Sequence, residues 1–150
     1  MQQINVYIEQ QFIGNFKAGD GKFSVVLELN KDGRPRTREH YRGYRGTTKN
    51  RLAILSCIEA LNHITKPCEI TIFIDSPYMQ TSSRWLESWI KEGLEGRKNA
   101  DLWAKYYKLS SQHLITIENK KVNDYSPAMR MQLGIKEIVT FDDYIPENEI

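Results

Sequence analysis

The sequence predicts a single α/β domain, a mixed sheet with helices packed on it, in the order β-β-β-α-β-α-α-β-α. Three observations carry that prediction. In Glu69-Ile70-Thr71-Ile72-Phe73-Ile74-Asp75, isoleucine recurs at every second position, the period of a strand, and Phe73 between them marks a strand covered on both faces. Just ahead of it, Leu52, Leu55, Ile58 and Leu61 recur at helical spacing. Ahead of both lie three strand-like segments. A helix crossing back to a strand parallel to the first then makes the sheet mixed.

Each element has its own signal. Residues 4–9 alternate Ile4, Val6 and Ile8 against Asn5, Tyr7 and Glu9, which predicts a strand ending on a carboxylate. Phe12-Ile13-Gly14-Asn15 and Gly19-Asp20-Gly21 predict a turn-rich connection. Residues 23–29 form a second strand, and Lys31-Asp32-Gly33 supplies the positive φ of a tight hairpin. A third strand, residues 36–44, follows Pro35, which suits a first or edge position. Thr47 or Thr48 caps the first helix and Lys66-Pro67 closes it, with Ile54, Cys57 and Ile64 widening its apolar stripe. Ser82-Ser83 is expected to cap a helix whose buried face carries Trp85, Leu86, Trp89 and Ile90. Leu102, Trp103, Tyr106, Tyr107 and Leu109 mark the next helix, and residues 113–118 a short strand. Ser126-Pro127, a cap followed by proline at the first helical position, opens a last helix that Gly134 ends. The domain is set at residues 1–134, with 135–150 an extension that is acidic at its end (Asp142, Asp143, Glu147, Glu149).

Composition excludes several classes. The chain has 150 residues, 40% hydrophobic and 27% charged, with a net charge of +2, so any nucleic-acid surface must come from local clustering of charge. No apolar run approaches the ~18 residues of a membrane span, and the N-terminus is not signal-like. A cytoplasmic, reduced, monomeric protein with no membrane association is expected. Cys57 sits on an apolar helical face, where free cysteine packs as a small hydrophobe. His40, His63 and His113 are scattered, and none has a cysteine partner at zinc spacing. Neither a glycine-rich phosphate loop nor a nucleophile elbow is present.

The chemistry points to Glu9 and Asp75. If the first and fourth strands are parallel neighbours, both carboxylates emerge at one sheet edge, where α/β sheets bind ligands. Paired carboxylates there suit Mg²⁺, a hard ion that favours oxygen. The alternative for Asp75 is to cap the following helix. Two metals ~3.5–4 Å apart call for more carboxylates than these two.

Four segments, in order and at matching spacing over about residues 4–133, resemble the cellular ribonuclease H that cuts RNA in RNA/DNA hybrids. Tyr7-Ile8-Glu9 with Gly14-Asn15 resembles its first strand and loop. Thr47-Thr48-Lys49-Asn50-Arg51-Leu52 is similar to its helix start, and Ile74-Asp75-Ser76-Pro77-Tyr78 to its Thr-Asp-Ser-Gln-Tyr segment. Trp85 and Trp89 with Asn99-Ala100-Asp101-Leu102-Trp103 resemble its substrate handle and the helix after it. The resemblance implies a ribonuclease H-like, five-stranded mixed sheet. It also implies hydrolysis by two Mg²⁺ or Mn²⁺ ions on four carboxylates.

The chain departs from that pattern at the carboxylates. The family's first Asp falls on Glu9, its helix Glu on Ala53, and its fourth carboxylate on Pro127 or Ala128, with Asp124 the nearest replacement. Its mobile-loop His has no counterpart. Glu9, Asp75 and Asp124 are therefore the candidate catalytic residues, with Glu9 and Asp75 the metal ligands. Asn15, Asn50 and Ser76 match positions that face the hybrid, and Lys49 replaces an Asn there. Arg36, Arg38 and Arg42 lead a basic segment suited to phosphate contacts. The expected function is binding of RNA/DNA hybrid or duplex with catalysis lost or strongly reduced. The alternatives are a working divergent Mg²⁺ nuclease and a module for a protein partner.

Overall fold

The computed structural model describes residues 1–15 and 17–146. The chain runs β1 (Gln2–Gly14), β2 (Gly19–Lys31), β3 (Arg34–Thr47), α1 (Lys49–Asn62), β4 (Cys68–Ile74), α2 (Pro77–Glu92), α3 (Ala100–Ser110), β5 (Leu114–Asn119), α4 (Ser126–Ile135) and β6 (Thr140–Asp142). The sheet order is β5-β4-β1-β2-β3-β6. β1, β2 and β3 form an antiparallel meander, while β4 runs parallel to β1, β5 to β4 and β6 to β3. The mixed α/β architecture is the predicted one, with a sixth strand added.

The main core lies between the sheet and α1, α2 and α3. Val6, Ile8, Phe23, Val25, Ile70, Ile72 and Ile74 meet Leu52, Ile54, Leu61, Leu86 and Trp103 there. A smaller cluster of Tyr7, Val26 and Met129 seats α4 on the opposite face. Because side chains alternate along a strand, Ile8, Gln10 and Phe12 look toward α1 while Tyr7 and Glu9 look toward α4. The turn between β2 and β3 is the predicted one, with Asp32 and Gly33 at φ of 54° and 75°.

Four expectations change. Glu9 does not end its strand: β1 continues to Gly14, because residues 9–14 pair with residues 19–24 of β2. The second helix starts at Pro77 rather than near Ser82, and its cap is Ser76, whose hydroxyl accepts from the Met79 N–H. Trp85 is 59% exposed, not core, whereas Trp89 packs edge-on against Trp103. The expected five-stranded sheet has a sixth strand: residues 140–142 pair with 43–45 of β3.

Candidate active site

Strand register brings Glu9 and Asp75 together. Tyr7 pairs with Phe73 in the parallel β1–β4 ladder, so the two carboxylates, each two residues further on, leave the ladder at the same level. Both line a groove of about 500 Å³ shared with Gln10, Asn15, Lys49 and Leu52. The two carboxylates differ in state. Asp75 is exposed and makes no hydrogen bond or ion pair among the described residues, because Ser76 has taken the capping task.

Glu9 is 8% exposed and already has two partners. The Ser126 hydroxyl donates to one carboxylate oxygen, and Arg130 Nε donates to the other at 3.2 Å. Arg130 is held in turn by the Lys121 carbonyl, to which its Nη2 donates at 2.7 Å. Ser126 and Arg130 lie four residues apart on α4, hence on one helical face. Tyr125 anchors the start of that helix. Its ring meets Tyr7 edge-on with centroids 4.9 Å apart, and its hydroxyl donates to Glu28. That bond and burial push the Tyr125 phenol up to about 12. Burial and the charge of Glu28 do the same for Tyr7.

The remaining candidates divide. Ala53 is buried in the core and offers no ligand atom. Asp124 is exposed and does not line the groove; Ser126 and Arg130 occupy Glu9 instead. Asn15 stands at the groove, where its amide oxygen accepts from the Lys17 and Ala18 N–H groups and so shapes the turn. Lys49 lines the groove from the first turn of α1, and Asn50 beside it is exposed but outside the lining. Ser76 is buried, and its hydroxyl caps α2.

The basic segment does not converge on the groove. Arg36 and Arg38 pair with Leu29 and Leu27, level with Ile4 and Val6, so they sit toward the far end of β1 from Glu9. Arg42 is engaged, 3.5 Å from Glu59 and 4.8 Å over the Phe141 ring.

The sequence reading missed Gln10, Ser126 and Arg130. Gln10 lines the groove, and its amide oxygen is buried without a hydrogen-bond partner among the described residues. The four-residue spacing of Ser126 and Arg130 was the available signal. Ser126 had been read as a cap, but it lies inside α4, which lacks a side-chain cap at its N-terminus.

A meander, a crossover helix and parallel strands that place two carboxylates at one groove define a ribonuclease H-like domain. The family model for RNase H matches residues 1–123, and the chain belongs to that family. Ribonuclease H of Campylobacter jejuni (strain 81-176) is 34% identical over 116 residues, 77% of this chain and 75% of the relative. Ribonuclease H of Lachnoclostridium phytofermentans is 31% identical over 132 residues, 83% and 84% of the two chains. Among solved structures, LC9-RNase H1, described as a type 1 RNase H with the type 2 active-site motif, shares the fold with a TM-score of 0.72. It is 22% identical, over 91% of this chain and 74% of that one. LC11-RNase H1 in complex with RNA/DNA hybrid aligns at a TM-score of 0.54 and 15% identity, over 84% of this chain and 92% of that one. The family match stops before α4, the helix that carries Ser126 and Arg130.

Proposed function

We propose that this domain binds RNA/DNA hybrid or duplex nucleic acid while its hydrolytic chemistry is lost or strongly reduced. One observation carries the reading: the Glu9 carboxylate is already neutralised by the Arg130 guanidinium and the Ser126 hydroxyl. Ser126 and Arg130 each take a lone pair on a different Glu9 oxygen, and the permanent positive charge of the guanidinium beside the carboxylate opposes a cation there. With Ala53 contributing nothing, two ions do not fit this donor set. One Mg²⁺ is the most it could hold, on Asp75 and the unpaired Gln10 oxygen, since Mg²⁺ binds through one or two protein oxygens and keeps its waters. No catalytic step is assigned to such an ion.

Binding keeps more of its apparatus. Asn15 and Lys49 flank the groove with amide and ammonium donors, and Trp85 offers an exposed ring on α2. The related LC11-RNase H1 has been solved with RNA/DNA hybrid. The unpaired Gln10 oxygen, in a residue that lines the groove with Asp75, favours a second reading, an active enzyme that works with a single ion.

A labelled RNA/DNA hybrid, with Mg²⁺ or Mn²⁺, separates the two. Expected are salt-sensitive binding weakened in Lys49→Ala, no cleavage above that of Asp75→Asn, and cleavage gained in Ala53→Glu/Arg130→Ala. Wild-type cleavage abolished by Asp75→Asn would establish the single-ion enzyme instead. Absence of binding at low salt would defeat both.

A further inference from the structure

We propose that His40, Glu59 and His63 form a binding site for a transition-metal ion of the Zn²⁺ class, separate from the carboxylate groove. Residues of a helix end and of a strand about twenty positions earlier meet here. Glu59 and His63 are four residues apart at the C-terminal end of α1 and so share a face. β3 presents His40 and Arg42 toward that face, which the Arg42–Glu59 pair and the His40–His63 contact both record. One ligand atom from each of His40, Glu59 and His63 lies within 4.8 Å of the others. Lys49 of the groove precedes Glu59 by ten residues on the same helix, about 15 Å along its axis.

The chemistry of the three groups suits an imidazole-preferring ion. Two imidazoles and one carboxylate form a known three-ligand zinc set, with a fourth position left for water. The two rings stack in parallel, with centroids 3.5 Å apart and planes 5° apart. At that distance they cannot both carry a proton charge comfortably. His40 Nε2 is buried and lacks a hydrogen-bond partner among the described residues, and in the tautomer protonated at Nδ1 it is an unmet acceptor that a bound ion would satisfy. Glu59 is 8% exposed, with one carboxylate oxygen 3.5 Å from Arg42 Nε and the other 3.0 Å from His63 Nε2. The Arg42 contact is longer than a good charge-assisted bond of ~2.7–2.9 Å, which leaves the Glu59 oxygen facing Arg42 loosely held.

Imidazole lone pairs lie in the ring plane, so stacked rings do not point at a common centre. Ligation therefore requires one ring to turn. His63, with 36% of its side chain exposed, is free to do so while β3 holds His40. The bound ion would staple β3 to the end of α1 and stabilise the folded chain by mass action.

The test is zinc titration of the full, chelator-treated chain by calorimetry in excess Mg²⁺, with thermal melts alongside. One Zn²⁺ per chain and a raised Tm are expected. The affinity should fall at least about tenfold in His63→Ala and in Glu59→Gln, both of which are checked for native circular dichroism. Asp75→Asn should bind zinc as the wild type does. Zinc affinity unchanged in both His63→Ala and Glu59→Gln would overturn the proposal, as would affinity lost in Asp75→Asn or in Cys68→Ala instead.

Discussion

At the scale of single residues, the decisive contact is the one that α4 makes with Glu9. A carboxylate that is 8% exposed must be hydrogen-bonded or paired to remain ionised, and the described structure gives it a hydroxyl and a guanidinium. The two partners do different work. Ser126 is fully buried, and its oxygen also accepts the Asn123 N–H at 2.8 Å, so it joins the loop, the helix and the strand. Arg130 is half exposed, and its pair with Glu9 is screened by water. Ser126→Ala should therefore lower stability by about 1–3 kcal/mol, the cost of a buried acceptor and a buried N–H left unsatisfied. Arg130→Ala should cost under about 1 kcal/mol. It should, however, raise the affinity of the groove for Mg²⁺, because a permanent positive charge beside the carboxylate is removed. Urea midpoints read the first two effects and Mg²⁺ titration the third. Equal destabilisation by the two substitutions would mean that Arg130 is more than a surface partner.

At the scale of elements, the long β1–β2 ribbon sets the shape of the groove, and it depends on close contact with α1. A Cβ on Gly21 would stand 2.5 Å from Leu52 Cδ2, inside any normal contact, and Leu52 lines the groove. Gly21→Ala should push α1 off the ribbon and cost about 1–3 kcal/mol as an overpacked site, with hybrid binding weakened as well. A denaturant melt and a binding titration on the same variant check both. This is also where the sequence was least legible. Alternating isoleucines, the helical leucines and Asp32-Gly33 each specify local structure, and each was read correctly. Gly14, Gly19 and Gly21 read equally locally as turns, yet Gly21 is small because a neighbouring helix needs the space. Glu9 and Asp75 could be paired from strand direction alone. Arg130 could not, because its meeting with Glu9 depends on how α4 is rotated on the sheet. His40 and His63 looked scattered for the same reason: only the packing of α1 on β3 stacks them.

At the scale of the whole molecule, one buried cation ties the segment after α4 to the centre of the fold. Arg51 is 1% exposed in the first turns of α1. Its Nη1 and Nη2 donate to the two oxygens of Asp101 on α3 at 2.9 and 2.8 Å. Its Nε and Nη2 donate to Asp143 at 2.7 and 3.1 Å, and Nη2 also reaches the Tyr144 carbonyl at 3.0 Å. Thr47 adds a 2.8 Å bond to the same Asp143 carboxylate. Residues 140–143 thus join the fold: β6 extends the sheet, and Asp143 adds a second carboxylate beside the Arg51 charge that Asp101 also meets. Removing one partner of a buried pair costs about 3–5 kcal/mol, and Asp143→Ala should fall at the lower end because Asp101 remains. The acid limb gives an independent check. Burial alone would raise the Asp101 carboxyl, but Arg51's hydrogen bonds and charge hold it below its ordinary range. A depressed carboxylate contributes stability that is present above its unfolded pKa of ~3.9 and lost as pH falls through the lower folded value. Wild-type stability should therefore keep dropping below about pH 4. Arg51→Met, whose Asp101 has lost its partner, should be less stable at neutral pH and flatter in that acid window. Parallel acid limbs in the two proteins would show that Asp101 does not owe its low pKa to Arg51.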